Sequence, residues 1–347
     1  MSYLPSKKQI IAIAFAFTAV CFFAYFEHEL SDFIKKISIN EYIAFRLVFT
    51  GGLYFLILCL LTAIKKETST LFFNPCHIDR VLFVRGFFTV FYWACLAAAF
   101  AHTKSQALTY PFFFLHPLWQ IVASRFVRKT WPPVKNQIVP IILILSGVIM
   151  FAAFNPTNIQ VSLERQQLLK ALSSYFPALL AGAGFAYTNE LSSEIHLKCK
   201  EHPYKFMGKM TVNNISSLRV SAYTTYAAIL LLPILLPAMI ISLDYFDMNN
   251  SMEIFQTPQA LGSHIGILSL ACLIVGLGTW AITEAFARAE HTTQIAAFDG
   301  LIVPIGAAFD LWHGKLPIHH PNFIWMLGAL ALIMAGAICS AFQPKPE

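Results

Sequence analysis

Three acidic residues stand deep inside long apolar runs of this chain: Glu190, Glu284 and Asp299. A charged side chain at the centre of a membrane helix costs about 2.5–3.5 kcal/mol on insertion scales, so it persists where a wet cavity or a partner compensates it. Glu27 and Asp32 lie nearer the outer end of the first run. Of the basic residues only Arg85 is comparably deep, while Arg46 and Arg288 fall toward helix ends. Negative charge therefore outnumbers positive in the apolar region. That balance fits a cavity that attracts a cationic group or couples to protons. The structural alternative is that each acid answers to a basic neighbour, as Glu284 can to Arg288 at i,i+4.

Aromatic and amide groups share the depth of these acids. Tyr92 and Trp93 are central to one apolar run, and His116, Trp119 and Gln120 to the next. Tyr187, Thr188 and Asn189 directly precede Glu190, and Trp280 lies one turn before Glu284. Tyr187 and Glu190, three apart, share a helix face. An aromatic face stabilises a desolvated cation by about 0.5–2 kcal/mol, against the alternative that these rings only pack or anchor. Trp131 and Trp325, near helix ends, read as interface anchors. The candidate substrate-binding set is Tyr92, Trp93, His116, Tyr187, Asn189, Glu190, Trp280, Glu284 and Asp299. Pro117 and Pro304 are candidate helix breaks for gating, since a mid-span proline frees carbonyls that a wet cavity can satisfy.

Other chemistries lack their residues. His313, His319 and His320 share one loop without a carboxylate or cysteine beside them, so no metal is expected. Seven cysteines are scattered singly, which argues against a disulfide framework. No G-x-S-x-G, H-E-x-x-H or Walker sequence is present, so neither an intramembrane hydrolase nor an ATP-driven pump is expected. The chain reads as no enzyme and as needing no cofactor.

The elements that hold these residues must be membrane helices. The 347 residues are 57% hydrophobic and 12% charged, half of the roughly 25% charged residues of soluble domains. Mean hydropathy is +0.62. A span needs about 20 apolar residues, which gives ten, near 9–30, 41–64, 81–101, 105–126, 137–154, 173–196, 215–241, 265–287, 292–312 and 323–342. Longer polar loops are expected at 155–172, 197–214 and 242–264. The first run resembles a cleavable signal, but Phe22, Phe23, Tyr25 and Phe26 fill the place where cleavage needs small residues, so it reads as a retained span.

The net charge of +6 is distributed as in a membrane protein, which excludes a nucleic-acid partner. Lys7, Lys8, three basic clusters (Lys65, Lys66 and Arg80; Arg125, Arg128, Lys129 and Lys135; Lys198, Lys200, Lys205 and Lys209), Arg288 and Lys345 fall on one side. Lys35, Lys36, Lys104, Arg165, Lys170 and Lys315 fall on the other. The excess marks the cytoplasmic face and puts both termini inside. Oligomeric state is not readable.

The ten runs divide into halves at 1–155 and 156–347 that look related. Ala99-Phe100-Ala101 recurs as Ala285-Phe286-Ala287, each followed by a short polar turn and a helix with a central proline, Pro117 or Pro304. Those helices close at Pro132 and Pro317. Because five is odd, the second copy sits inverted, a pattern of secondary transporters whose site lies at the repeat interface.

In these features the chain resembles the drug/metabolite transporter superfamily, the EamA-like ten-helix type. Members commonly carry Gly-Glu before the closing proline, where this chain has Lys129-Thr130-Trp131-Pro132 and Gly314-Lys315-Leu316-Pro317. The resemblance implies an all-α integral membrane protein of ten transmembrane helices in two inverted five-helix repeats, in a bacterial inner membrane. It implies alternating-access transport of a small-molecule substrate. The leading expectation is S-adenosylmethionine uptake, in exchange for S-adenosylhomocysteine, because an acidic, aromatic cavity suits a cationic metabolite with a flat ring. Amino-acid, polyamine or drug export is the alternative, and a membrane-embedded assembly protein the alternative of another class.

Overall fold

A computed structural model describes residues 7–33, 39–65, 77–103, 113, 115–129, 138–154, 165–201, 204–206, 210–212, 216–245, 258–289, 292–312 and 321–341. These residues are almost entirely helical. In chain order the helices are α1 (Lys7–Phe33), α2 (Ile39–Lys65), α3 (His77–Thr103), α4 (His116–Arg128), α5 (Ile138–Phe154) and α6 (Arg165–Glu201). Then follow α7 (Ser217–Tyr245), α8 (Pro258–Arg288), α9 (Thr292–Phe298), α10 (Ile302–Trp312) and α11 (Phe323–Ala341). A small hairpin, β1 (Tyr204–Phe206) and β2 (Met210–Val212), pairs antiparallel with Tyr204 opposite Val212 between α6 and α7.

Five of the helices are long and apolar enough to cross a membrane, over Lys7–Phe26, Glu41–Ile64, Arg80–Ala99, Ser217–Leu235 and Ser269–Arg288. Their sides explain why. Large apolar residues such as Leu56, Leu60, Ile64, Leu230 and Ile234 point outward, each more than 60% exposed. Only a lipid solvent makes such a surface favourable. The inward faces are small instead: Ala12, Ala16 and Ala19 of α1 are fully buried at helical spacing. Without a hydrophobic force between helices in lipid, close packing of small residues holds the bundle. The protein is membrane-embedded.

All three of the expected longer loops are shorter than the sequence reading drew them. Residues 165–172 and 197–201 belong to α6, whose 37 residues reach about 55 Å at 1.5 Å each. Residues 258–264 likewise open α8. Polar residues at these helix ends depressed the local hydropathy although the backbone hydrogen bonds continue into water. The 292–312 run is broken rather than continuous: a 3-10 turn over Asp299–Leu301 separates α9 from α10. Pro304 has no N–H to offer the carbonyl of Gly300, so the ladder cannot pass that point.

The packing pairs follow a pattern. Helix α3 lies on α6 and α8 on α1; α3 touches α7 and α8 touches α2; α2 meets α3 and α7 meets α8; α4 packs on α6 and α10 on α1. Helix α2 also packs on α7 and α5 on α11, and α9 meets α11 and α6 meets α8. Between α5 and α11, glycines on both helices allow backbone contact: a Cβ on Gly147 would meet Ala329 O at 2.6 Å, and one on Gly336 would meet Pro140 O at 2.8 Å.

Candidate functional site

Helix α3 carries the site because its inward face is polar at helical spacing. Arg85, Thr89, Tyr92, Trp93 and Leu96 follow one another at i, i+4, i+7, i+8 and i+11, all buried against α6 and α7. Two internal cavities open on this face. Each has room in this conformation for little more than a water-sized group.

The first cavity lies among α1, α2, α3, α6 and the α9–α10 break. Val20, Phe23, Arg46, Tyr92, Leu96, Phe113, Phe185, Asp299 and Ile302 line it. Arg46 is 3% exposed. Its guanidinium lies 3.6 Å from the Trp93 ring centroid and 5.1 Å from that of Phe26, and its Nη1 donates to the Tyr42 hydroxyl. No carboxylate pairs with it among the described residues. The 3-10 turn puts Asp299, 5% exposed, on the wall of the same cavity.

The second cavity is lined by Arg85, Thr89, Tyr92, Trp93, Phe185, Thr188, Asn189, Ser221, Thr224, Thr225, Thr279 and Ile282. Here Arg85 is held entirely by neutral oxygens. Its Nε donates to Thr188 O at 3.1 Å, Nη1 to Thr224 Oγ1 and to Val220 O, and Nη2 to Thr283 Oγ1 at 3.1 Å. Ser221 Oγ adds a bond to Thr283 Oγ1 at 3.1 Å. Removing a guanidinium from water costs several kcal/mol, offset here by bonds from a charged donor worth about 1.5–3 kcal/mol each.

Glu190 and Glu284 answer to basic neighbours instead of the cavities. Glu190 is fully buried and paired with Arg128, and it also accepts from Gln120 Nε2 and, at 3.1 Å, from Ser124 Oγ. Gln120, Ser124 and Arg128 occupy i, i+4 and i+8 on α4, so one helix face meets one carboxylate on α6. Glu284 pairs with Arg288 one turn on, half-exposed. The structural alternative weighed from the sequence, an acid answered by a basic neighbour, is the arrangement found at both.

The other expected site residues divide. Tyr92 lines both cavities, edge-on to Trp93 and to Phe185 at 6.0 and 5.2 Å. Trp93 and Asn189 line the second cavity. Tyr187 stacks on Phe88 at 5.0 Å, and Trp280 meets Phe15 edge-on at 5.7 Å; neither lines a cavity. The side chains of His116 and Pro117 lie outside the described residues, though the backbone puts Pro117 in the first turn of α4, where a missing N–H costs little. His313, His319 and His320 also lie outside them.

Sequence reasoning undervalued Arg46 and the hydroxyl cage. Helix α2 begins at Ile39, so Arg46 sits about 10 Å along it instead of at its end. Thr224 and Thr225, with Ser221 a turn before and the pair Thr279 and Thr283, are hydroxyl positions within largely apolar helices. That spacing was a usable signal.

No family of known proteins matches the sequence, and no curated protein matches it. One solved structure, described only as the crystal structure of a protein, superposes over 94% of this chain and 95% of that one with a TM-score of 0.60, at 13% sequence identity. At that identity the two chains share a fold over nearly their full lengths, and the likeness extends no further.

Proposed function

We propose that the protein is a secondary transporter of the EamA-like drug/metabolite type, which moves a small metabolite bearing an amino-acid head group by alternating access. The observation that carries this reading is the shared cavity of Arg46 and Asp299. Arg46, a base without a carboxylate partner among the described residues, and Asp299 stand on one apolar, aromatic wall inside a membrane-embedded bundle. Intramembrane charges of this kind mark substrate pathways. Arg46 would take the carboxylate and Asp299 the ammonium, while Tyr92, Phe113 and Phe185 contact the remainder.

The packing pairs support two halves, 1–155 and 156–347. Exchanging them turns α3 on α6 into α1 on α8, α3 on α7 into α2 on α8, and α4 on α6 into α1 on α10, and it maps α2–α7 and α5–α11 onto themselves. Such an exchange is what two inverted five-helix repeats would produce, with the site between them. Both termini then lie in the cytoplasm, by the excess of Lys and Arg on that side.

S-adenosylmethionine, exchanged for S-adenosylhomocysteine, stays the leading substrate. It carries a carboxylate, an ammonium, a sulfonium and a flat ring. A simple amino acid is the second reading, since it presents the same head group to Arg46 and Asp299. A polyamine gives Arg46 nothing to bind. The cavity is narrow in this conformation, so loading requires the helices around it to part.

The test is uptake of radiolabelled S-adenosylmethionine by bacterial cells expressing the protein, with S-adenosylhomocysteine, amino acids and polyamines as competitors. Saturable uptake, competed by the amino-acid compounds and not by polyamines, is the expected result. No uptake of S-adenosylmethionine or of any amino acid, with the protein verified in the membrane, overturns the reading.

A further inference from the structure

The Arg85 cavity is a second site with a different donor inventory. It shares only Tyr92 and Phe185 with the cavity of Arg46 and Asp299. No carboxylate lines it, and Arg85 has no carboxylate partner among the described residues. The threonines cannot supply negative charge. Each spends its proton on the carbonyl one turn back: Thr89 on Arg85, Thr188 on Gly184, Thr224 on Val220, Thr225 on Ser221 and Thr279 on Val275.

Two further donors, on residues that line the cavity, have no acceptor among the described residues. Asn189 Nδ2 and Trp93 Nε1 are both buried, with their residues 2% and 1% exposed. Buried donors ordinarily find a partner, and an indole N–H can only donate. Arg85 uses four bonds of its five N–H groups, so one donor of the guanidinium is left as well. An uncompensated positive charge and two orphaned neutral donors therefore surround a space that fits one water-sized group. A cation is repelled there. An acceptor with negative charge satisfies all three.

We propose that the cavity formed by Arg85, Asn189 and Trp93 binds a small monovalent anion, either chloride or a single carboxylate. Charge neutralisation of Arg85 links this site to the bundle as a whole, because the same guanidinium ties α3 to α6, α7 and α8. Occupancy stabilises that four-helix junction by mass action. The inference stands apart from the identity of the transported substrate.

The experiment is thermal unfolding of the purified full chain in detergent, across sodium chloride, sodium formate and sodium gluconate at constant ionic strength. Chloride or formate is expected to raise the midpoint saturably, and gluconate, too large for the cavity, is expected to leave it unchanged. A rise with chloride alone identifies an inorganic ion; a rise with formate alone identifies the carboxylate of an organic ligand. Arg85→Gln should abolish the rise. Asn189→Leu, which keeps Arg85 and its helix contacts, should raise the half-saturating concentration about tenfold for the lost bond to a charged ligand, and it decides the matter where Arg85→Gln does not fold. A midpoint indifferent to the anion in the unmodified protein, or a rise unaltered in Asn189→Leu, means that the cavity holds only water and overturns the proposal.

Discussion

Arg46 stacks its guanidinium 3.6 Å from the ring centroid of Trp93, and the same tryptophan lines the cavity of Arg85. One side chain thus joins a wall residue of the first cavity to the second. The ring faces of Trp93, Phe26 and Tyr42 hold the guanidinium without neutralising it, because a quadrupole attracts a cation but supplies no counter-charge. The charge of Arg46 stays available to whatever enters beside Asp299.

Planarity is what this arrangement uses, so Arg46→Lys is not conservative. An ammonium keeps the charge but loses the stacked plane and the forked donors. Arg46→Lys is expected to raise the KM for uptake about tenfold, the equivalent of about 1.4 kcal/mol, with folded protein at unchanged levels. Uptake kinetics alongside gel filtration in detergent check this. An unaltered KM would mean that Arg46 serves packing alone.

Glu190 is held in a buried ion pair with Arg128. Removing either member of a buried ion pair costs about 3–5 kcal/mol because the other charge is stranded, whereas replacing both by apolar groups is often close to neutral. Arg128 is 23% exposed and Glu190 fully buried, so removing Glu190 strands a guanidinium that reaches water, at the low end of that range, while removing Arg128 strands a buried carboxylate. Arg128→Leu should therefore destabilise strongly, Glu190→Leu less, and the double variant less than the sum of the two. Unfolding midpoints of the four proteins form the cycle. Strict additivity would show that the pair contributes nothing.

How much of this was legible in the sequence depends on which interactions are local. The helices were legible as runs of apolar residues, five of them long and apolar enough to cross a membrane, a signal each segment carries by itself. The pair of Glu284 and Arg288 is four residues apart and was readable for the same reason. Arg128 and Glu190 are separated by 62 positions along the chain and meet only because α4 packs on α6. Counting acids against bases along the sequence made the interior look negative, yet folding pairs Glu190 and Glu284 with arginines and leaves Arg46 and Arg85 without carboxylates among the described residues. The sign of the site was set by tertiary pairing, which periodicity does not encode.

Two glycines give a contrast in backbone packing. A Cβ at Gly336 would meet Ile144 at 2.7 Å and Pro140 O at 2.8 Å, while one at Gly52 meets nothing within 4 Å. Gly336→Ala should destabilise by about 1–3 kcal/mol through overpacking of α5 against α11. Gly52→Ala should be neutral or stabilising by up to about 1 kcal/mol, from helix propensity alone. Melting temperatures of the two purified variants separate these outcomes, and equal values would refute close contact between α5 and α11.

Asp299 and Arg46 offer the most direct reading of substrate chemistry, because each is assigned a different half of the head group. Asp299 stands on a 3-10 turn that Pro304 enforces, so Asp299→Asn changes its charge while the backbone keeps its place. This variant should lose affinity for substrates with a free amino group and retain competition by analogues in which that group is absent. Arg46→Gln should do the reverse, losing the carboxylate-bearing ligands and keeping their amides or esters. Losing one charge-assisted hydrogen bond costs about 1.5–3 kcal/mol, or roughly ten- to a hundredfold in half-inhibitory concentration. A matrix of the two variants against the two analogue classes reads the assignment. Selective loss along its diagonal supports a zwitterionic head group between these two residues. Equal loss in every cell would mean that both residues hold the helices together and neither touches the substrate.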